Sequence, residues 1–331
     1  MSNLHSQSPQ VSVIIPAHNA EETIGVCLKA LMNQTVPSNS YEVIVVDDGS
    51  IDSTCVEVEK FKDARILLQK NAGPSAARNL GLGRAQGDIV LFTDDDCEPT
   101  EDWIEHMLSP FQNIEIMGVK GAYLTKQRGL MPRFVQLEFE DKYQRMAQEK
   151  YIDFVDTYSA GYRKSILLSN NGFDTTFPVA SVEDQELSFR LAQQGFKMVF
   201  ERGAKVYHLH HPRNLGEYWQ KKFNIGYWKV VVHSRHPKKI FRDSHTPQIL
   251  KIQIILIGIS ILMLIFGYFW RPFWWFAILA FLGFAFSTFP FVYRAFRKDP
   301  IVAILSPFFL FVRALALGTG FTAGLLFNLR K

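Results

Sequence analysis

The sequence predicts an α/β protein with a doubly wound, mostly parallel sheet, followed by an α-helical transmembrane region. Three observations carry this prediction. Short apolar runs and helical stretches alternate four times along residues 11–92, which is the pattern of βα units. Three of these runs end in polar or acidic loops. From residue 249 onward apolar residues dominate, so the mean hydropathy of +0.00 averages two unlike parts.

The apolar runs are continuous, as parallel strands buried on both faces require. The predicted strands are 11–15, 41–46, 65–68 and 89–92, followed by 118–123, 197–200 and 204–208. The predicted helices between them include 21–31, 75–85 and 103–108. Ligands of doubly wound sheets bind beyond the carboxyl ends of the strands. The loops at 16–19, 47–50 and 93–98 are therefore expected to meet in one site.

Three adjacent carboxylates, Asp94, Asp95 and Asp96, follow the fourth predicted strand. Like charges at such close range repel unless a cation lies among them. Oxygen ligands of this kind suit Mg²⁺ or Mn²⁺, and the alternative is a solvated acidic turn.

Arg78 lies one turn inside a predicted helix, where its guanidinium could donate two hydrogen bonds to a diphosphate. The alternative is a surface arginine without a ligand.

Four ordered motifs resemble those of family 2 glycosyltransferases. They are Val-Ser-Val-Ile-Ile-Pro-Ala-His-Asn at 11–19, Val-Ile-Val-Val-Asp-Asp-Gly-Ser at 43–50, Ala-Ala-Arg-Asn-Leu-Gly at 76–81 and Asp-Asp-Asp at 94–96. The resemblance covers residues 10–235 and implies a nucleotide-diphospho-sugar transferase domain of the GT-A type. It implies an inverting hexosyltransferase that uses a UDP- or GDP-linked sugar.

The resemblance also assigns roles to the residues of these motifs. The residues implied in nucleotide-sugar binding are Pro16, Ala17, Asp47, Asp48, Arg78 and Asp95. Asp94 and Asp96 match the family's Asp-x-Asp motif, which implies that they hold a divalent metal, Mn²⁺ or Mg²⁺, at the diphosphate. Such a metal would stabilise the leaving group.

A second acidic signal is the pair Glu183 and Asp184, which begins an amphipathic helix. Paired acids at a helix N-terminus ordinarily complement the helix dipole. The resemblance instead implies that Asp184 is the catalytic base that deprotonates the acceptor, with Glu183 supporting the acceptor site. His210, in a histidine-rich stretch after the last predicted strand, is a candidate third metal ligand or a contact for the acceptor phosphate.

Two stretches in the second half receive no catalytic role. The charged helical stretch 138–150 is predicted to be a solvated face. At 218–224 the sequence reads Tyr-Trp-Gln-Lys-Lys-Phe-Asn, which departs from the Gln-x-x-Arg-Trp of processive family members and favours addition of one sugar. Its aromatic and lysine residues are typical of an interfacial helix that meets lipid headgroups.

The predicted domain limits are a flexible N-terminus at 1–10, a glycosyltransferase domain at 11–235, a basic juxtamembrane linker at 236–248 and a transmembrane region at 249–327. The three predicted spans are 249–270, 273–292 and 301–327. Basic residues before the first span and between the second and third place the catalytic domain in the cytoplasm, at the cell inner membrane. Three spans would put the basic C-terminal end outside, in mild conflict with that rule.

Arg313 lies inside the third apolar run, where a charge is costly unless paired. Either it binds a lipid phosphate, or the third run is a bent or re-entrant pair of helices. A tight helical hairpin without a ligand is the remaining alternative.

Composition excludes some classes of function. The net charge of +4 gives no reason to expect a nucleic-acid binder. The three cysteines lack metal-type spacing and fit a reducing compartment.

The sequence therefore predicts a membrane-anchored, metal-dependent glycosyltransferase that adds a single sugar to a lipid-linked or cell-envelope glycan, in contact with membrane lipids. The alternatives are a polyprenyl-phosphate monosaccharide synthase and a non-catalytic nucleotide-binding membrane scaffold. A nucleotidyltransferase is disfavoured, because no Gly-rich, Arg-containing loop follows the first strand.

Overall fold

The computed structural model describes residues 9–177, 181–240 and 243–328, which form two compact units. The first unit extends to Lys126 and includes Arg145–His210, and the second contains Gln127–Gln144 and the chain from His211 onward. This division differs from the predicted domain limit at residue 235. Most of the predicted flexible N-terminus, residues 1–8, lies outside the described residues.

The first unit contains one mixed sheet, whose described strands follow the order β3-β2-β1-β4-β7-β6-β8-β5. The strands are β1 (Val11–Ala17), β2 (Tyr41–Asp47), β3 (Ala64–Leu68), β4 (Ile89–Thr93), β5 (Cys97–Pro99), β6 (Ile116–Leu124), β7 (Ser159–Arg163) and β8 (Lys197–His208). Strands β1 to β4 are parallel, as are β6 and β8, whereas β7 runs antiparallel to β4 and β6, and β5 runs antiparallel to β8. The predicted fold class is confirmed.

The two late strands predicted at 197–200 and 204–208 form one strand, β8. Its partner β6 carries a register irregularity between Lys120 and Ala122, which lets the pairing continue across the polar residues. Strands β5 and β7 have no apolar run of their own, because β5 has three residues and β7 reads Ser-Ala-Gly-Tyr-Arg. Local sequence therefore did not reveal them.

Helices flank the strands of the first unit and form most of the second. They are α1 (Ile24–Leu31), α2 (Thr54–Glu59), α3 (Pro74–Arg84), α4 (Trp103–Leu108), α5 (Leu130–Met146), α6 (Lys164–Ser169), α7 (Glu183–Gln193), α8 (Leu215–Arg235), α9 (Gln248–Gly267), α10 (Phe273–Phe296) and α11 (Pro300–Asn328). Buried residues of β1, β2 and β4, including Ile14, Ile44 and Phe92, form the core of the first unit.

The second unit packs α8, most of α5 and the three apolar helices α9, α10 and α11 around an aromatic core. Helices α8 and α11 approach each other closely because glycine lies at their contact. A β-carbon at Gly320 would lie 2.2 Å from the carbonyl oxygen of Phe223. This close packing is the physical reason why α8 belongs to the second unit. Helices α9, α10 and α11 are each long and apolar enough to cross a membrane.

Candidate active site

The polar loops after β1, β2 and β4 meet at one edge of the sheet. The backbone N–H of His18 donates to Asp95 Oδ2 at 3.2 Å, and His18 Nδ1 lies 2.9 Å from the carbonyl oxygen of Asp48. The three strands are parallel neighbours, so their carboxyl ends lie side by side. The structure therefore brings together the loops that the sequence predicted would converge.

Asp48 anchors the loop that leads into α3. Its carboxylate accepts hydrogen bonds from the backbone N–H groups of Ala72 and Gly73, both at 2.8 Å, and from Gln69 Nε2 at 2.6 Å. Asp47 is also buried, and its carboxylate accepts from the backbone N–H of Ser50 at 3.3 Å. Both carboxylates thus shape the loops at the sheet edge.

The backbone of this edge requires a glycine between β2 and α2. Gly49 has a φ of +74°, and a β-carbon there would lie 2.8 Å from the backbone nitrogen of Asn71. Pro16 and Ala17 end β1 beside this turn, where the carbonyl oxygen of Ala17 accepts from the backbone N–H of Asp48 at 2.8 Å.

The acidic triplet presents oxygen ligands suited to a divalent cation. Ligand atoms of Asp94, Asp96 and Cys97 lie within 4.8 Å of one another. Burial, together with the charges of Asp96 and Asp94, raises the pKa of the Cys97 thiol well above its ordinary value, so the thiol stays neutral and is a poor ligand. The remaining donors are carboxylate oxygens, which fit Mg²⁺ or Mn²⁺.

Asp95 lies between these two carboxylates and is half-buried. Burial, followed by the negative charges of Asp96 and Asp94, raises its pKa to about 8. Burial is the largest cause of this shift, and the neighbouring negative charges add to it. A cation bound here would relieve that repulsion.

Arg78 connects the acidic triplet to the start of α7. Its guanidinium donates to Glu183 Oε1 at 2.8 Å and to Asp94 Oδ1 at 3.2 Å. Burial acts to lower the pKa of Arg78, but the carboxylates of Glu183 and Asp94 outweigh it and raise that pKa. Its buried Nε atom has no hydrogen-bond partner among the described residues. In this structure the guanidinium therefore joins two acidic groups at the sheet edge.

Asp184 lies beside Glu183 in the first turn of α7 and is half-buried. Burial, and then the charge of Glu183, raises its pKa to about 7. Arg78, the backbone N–H of Gln185 and Lys120 act in the opposite direction. A carboxyl group with a pKa near neutrality is suited to exchange a proton with a substrate hydroxyl.

Lys120 is a buried cation that the sequence analysis did not single out. Its ammonium contacts the carboxylate of Asp156 and donates to the hydroxyl of Tyr158 at 2.9 Å. Burial lowers the pKa of Lys120 well below its ordinary range, and the charge of Asp184 acts in the opposite direction. Ser188, on α7, binds the backbone N–H of Val155 at 3.0 Å, so the segment that carries Asp156 is joined to the helix of Asp184.

His208, which the sequence did not single out, lies beside the acidic triplet. Its Nε2 atom is 3.1 Å from Asp96 Oδ2, and its ring is buried at the end of β8, where it pairs with Cys97. His210 is exposed, two residues beyond the end of the strand. The sequence did not distinguish the two histidines, because the pairing of β5 with β8 has no local signal.

The second unit corrects the expectation for 138–150. Glu138 is buried, and its carboxylate accepts from Arg313 Nη1 at 2.9 Å and from the hydroxyl of Tyr218 at 3.0 Å, with Lys222 Nζ at 3.1 Å. The pKa of Glu138 falls to about 2, because the cations of Lys222 and Arg313 outweigh the opposing effect of burial. This part of the stretch is therefore not a solvated face.

Arg313 is paired inside the protein. Besides Glu138 it donates to Gln253 Oε1 at 2.8 Å. Helix α11 is continuous, which excludes a bent pair of helices in the third apolar run. The interfacial expectation for 218–224 is also wrong for Tyr218, which is fully buried, and for Lys222, which contacts Glu138. Glu138 is separated from Arg313 by 175 positions, so sequence alone did not pair them.

Comparisons with known proteins place the chain in a family. Residues 12–168 match the family model described as glycosyl transferase family 2. Glycosyltransferase AglE of Haloferax volcanii is 30% identical over 237 residues, covering 69% of this chain and 75% of that protein. The probable glycosyltransferase YdaM of Bacillus subtilis is also 30% identical, covering 65% of this chain and 54% of its own length. The match thus spans about half of the latter relative.

A solved structure supports the fold. Mannosyltransferase PcManGT from Pyrobaculum calidifontis, in complex with GDP-Man and Mn²⁺, superposes with a TM-score of 0.60 at 18% identity. The alignment covers 96% of this chain and 87% of that one. At this level of identity the likeness establishes a shared fold.

Proposed function

Because the chain belongs to glycosyltransferase family 2, we propose that it is an inverting enzyme that moves one sugar from a nucleoside-diphosphate sugar to a lipid-linked glycan. One observation carries the proposal. Arg78 joins Asp94, at the acidic triplet, to Glu183, beside Asp184. A candidate metal-and-diphosphate site and a candidate proton acceptor are thereby held at one edge of the sheet.

The proposed donor site comprises the loops after β1 and β2 and the acidic triplet. Pro16, Ala17, Asp47 and Asp48 are proposed to line the nucleotide pocket, with Asp95 towards the sugar or ribose. Asp94 and Asp96 would hold the divalent cation, which when bound supplies positive charge to the leaving diphosphate. Mn²⁺ is favoured because the structural relative PcManGT was solved with Mn²⁺ and GDP-Man.

The proposed base is Asp184. Its half-buried carboxyl group, with a pKa of about 7, is partly ionised at neutral pH and can accept the proton of an acceptor hydroxyl. Arg78 positions the neighbouring Glu183 carboxylate and limits the repulsion between Glu183 and Asp184. His210, being exposed and beyond β8, is not retained as a metal ligand, whereas His208 would orient Asp96 through its contact at 3.1 Å.

The proposed location is the cytoplasmic face of the cell inner membrane, with the catalytic domain in the cytoplasm. The apolar helices of the second unit support membrane anchoring. A membrane-bound enzyme of this kind is suited to a lipid-linked acceptor for cell-envelope polysaccharide. If the acceptor were a polyprenyl phosphate itself, the product would be a lipid monosaccharide phosphate, which mass measurement of the lipid product distinguishes.

The test is the release of nucleoside diphosphate by the detergent-purified protein, supplied with membrane lipids, across a panel of UDP- and GDP-sugars. We expect one donor to be turned over with Mn²⁺ or Mg²⁺, and chelation to abolish the activity reversibly. Asp96→Ala and Asp184→Asn should each reduce turnover at least about 100-fold. Glu59→Gln, at an exposed carboxylate of α2, is the matched control and should remain active. Nucleotide binding without turnover of any donor would favour the scaffold alternative.

A further inference from the structure

The three apolar helices of the second unit differ in how much of their surface is exposed. In the most apolar 18-residue stretch, 22% of the residues are buried in α9 and in α10, but 56% are buried in α11. Helices α9 and α10 have 20 and 24 residues, or about 30 and 36 Å at 1.5 Å per residue. Their large apolar side chains are exposed along the whole length, from Ile252 to Phe266 and from Trp274 to Tyr293. Both helices therefore present a lipid-facing surface as long as a bilayer core.

Helix α11 exposes large apolar side chains over a much shorter length. In its first half, among the described residues, these are Ile301, Ile304, Leu305 and Phe308. They lie on one face and cover about 12 Å along the helix axis. Other parts of the protein cover most of 309–318, and large exposed apolar side chains return at Leu325. The first apolar patch is too short to cross a hydrocarbon core of about 30 Å.

The helix that covers the second half of α11 is α8, whose exposed residues after its first two are all polar, namely Glu217, Gln220, Lys221, Ser234 and Arg235. A β-carbon at Gly324 would lie 2.4 Å from the carbonyl oxygen of Tyr227, and one at Gly226 would lie 2.4 Å from that of Leu317. The backbones of α8 and α11 are thus in close contact over these turns. Gln220 and Lys221 of α8 are exposed. A lysine at the centre of a bilayer costs about 2.5–3.5 kcal/mol, so α8 and the half of α11 that packs on it belong outside the hydrocarbon core.

Two contacts of α11 show how it packs on α9. Arg313 binds Gln253, the sixth residue of α9, and a β-carbon at Gly318 would lie 3.3 Å from Ile254. Two positions five residues apart on α11 therefore meet adjacent residues of α9. A helix running alongside α9 would advance by more than one turn between these contacts. At these two positions α11 crosses α9 near Gln253 and Ile254, while the Phe311 ring packs on Phe281 and Phe284 of α10.

Charged and aromatic residues mark the two ends of the α9–α10 pair. The turn between them exposes Tyr268, Phe269 and Trp270, the kind of residues that lie at a membrane interface. That turn also carries one basic residue, Arg271, whereas the opposite end carries four, Lys251, Arg294, Arg297 and Lys298. This asymmetry is the one expected when the basic end faces the cytoplasm.

We propose that α9 and α10 cross the membrane as a hairpin, and that α11 does not cross it but lies at the cytoplasmic surface. The face formed by Ile301, Ile304, Leu305 and Phe308 would enter the lipid interface. The end of α11 then lies on the same side of the membrane as the residues before α9. This differs from the three-span prediction and removes its conflict with the positive-inside rule. The inference rests on the membrane anchoring in the proposed function.

The test uses two introduced cysteines and a membrane-impermeant maleimide. Arg271→Cys, in the exposed α9–α10 turn, and Leu326→Cys, near the end of α11, are expressed separately in a bacterial host. Labelling is compared in spheroplasts and inverted vesicles, with the unsubstituted protein as the control for its own three cysteines. We expect R271C to be labelled at least tenfold more in spheroplasts, and L326C at least tenfold more in inverted vesicles.

Labelling of L326C from outside, with R271C also outside, would establish a third span and overturn the inference alone. Absence of external labelling for R271C, together with loss of the protein from the membrane in alkaline carbonate, would overturn the proposed anchoring itself. A second measurement needs no substitution. A fluorescent protein fused after residue 331 should fluoresce, and alkaline phosphatase fused there should be inactive, whereas the reverse result contradicts the hairpin.

Discussion

Each unit has a buried pair of arginine and glutamate, and the surroundings of these two pairs differ. In the first unit Arg78 binds Glu183 at 2.8 Å, and in the second Arg313 binds Glu138 at 2.9 Å. Around Arg78 the carboxylates outnumber the cations, because the acidic triplet and Asp184 lie nearby. Around Glu138 the cations of Arg313 and Lys222 outnumber the single carboxylate.

The pKa values reflect this difference. The carboxyl groups of Asp95 and Asp184 have pKa values raised to about 8 and about 7, whereas that of Glu138 falls to about 2. The first arrangement is short of positive charge, which is the condition of a site that binds a cation and exchanges a proton. In the second arrangement, cations within the same unit neutralise the carboxylate, as expected of an ion pair that holds helices together. We therefore propose that the same pair of residue types has a different role in each unit, set by the charges around it.

The largest expected effect comes from removing Arg78, the arginine of the first unit's pair, and Arg313 of the second unit provides the comparison. Arg78→Met should reduce nucleoside diphosphate release at least about 100-fold, because Glu183 and Asp94 lose the cation that positions them. Arg313→Met should leave the turnover of the folded fraction within about threefold of the wild-type value. Steady-state assays on the monodisperse fraction of each variant test this. Equal losses in the two variants would contradict the division of roles.

The next effect is on stability in the second unit. Breaking a buried ion pair by removing one partner costs about 3–5 kcal/mol, whereas replacing both partners with apolar residues is often nearly neutral. Arg313→Met should therefore lower the unfolding midpoint in detergent more than the double substitution Glu138→Leu with Arg313→Met does. The comparison is made by thermal unfolding. A double variant less stable than R313M would show that Lys222 depends on Glu138 more than Arg313 does.

The two units should also respond to pH with opposite signs. The raised pKa of Asp184 means that its contribution to stability is present below pH 4 and is lost as the pH rises through about 7. Asp184→Asn should therefore raise the unfolding midpoint of metal-free protein at pH 8 and have little effect at pH 4.

The lowered pKa of Glu138 gives the reverse dependence, with stability present above about pH 4.5 and lost as the pH falls towards 2. Glu138→Gln should lower the unfolding midpoint at pH 7. The difference from the wild type should become smaller as the pH falls from 5 to 3.

The smallest expected effect concerns Lys120, the buried cation of the first unit. Its charge lowers the pKa of Asp184, so Lys120→Met should move the acidic limb of the pH–rate profile to higher pH. We expect turnover at pH 6 to fall roughly threefold to tenfold, with recovery at pH 9. Lys120→Arg keeps the charge and should retain most of the wild-type profile. A uniform loss at every pH would instead indicate a purely structural role.

The α/β class, the family and the region of the candidate site can all be inferred from the amino-acid sequence. The apolar runs before Asp47 and Asp94 identify strands, and the polar residues after them identify the candidate site at the sheet edge, because both signals are local. The acidic triplet and the Glu183–Asp184 pair each consist of residues adjacent in the sequence, so both can be recognised without the structure. The apolar composition after residue 249 likewise reveals helices able to enter a membrane, without their neighbours.

Which charged residues contact one another depends on the folded chain. Arg78 lies 105 positions from Glu183, and Glu138 lies 175 positions from Arg313, so no local pattern pairs them. The placement of His208 beside Asp96 depends on the pairing of β5 with β8. The covering of α11 by α8 likewise depends on close approach at glycines far apart in the chain. The identity of a charged residue fixes its sign, but the fold fixes its partner and its exposure to water, and these decide its chemistry.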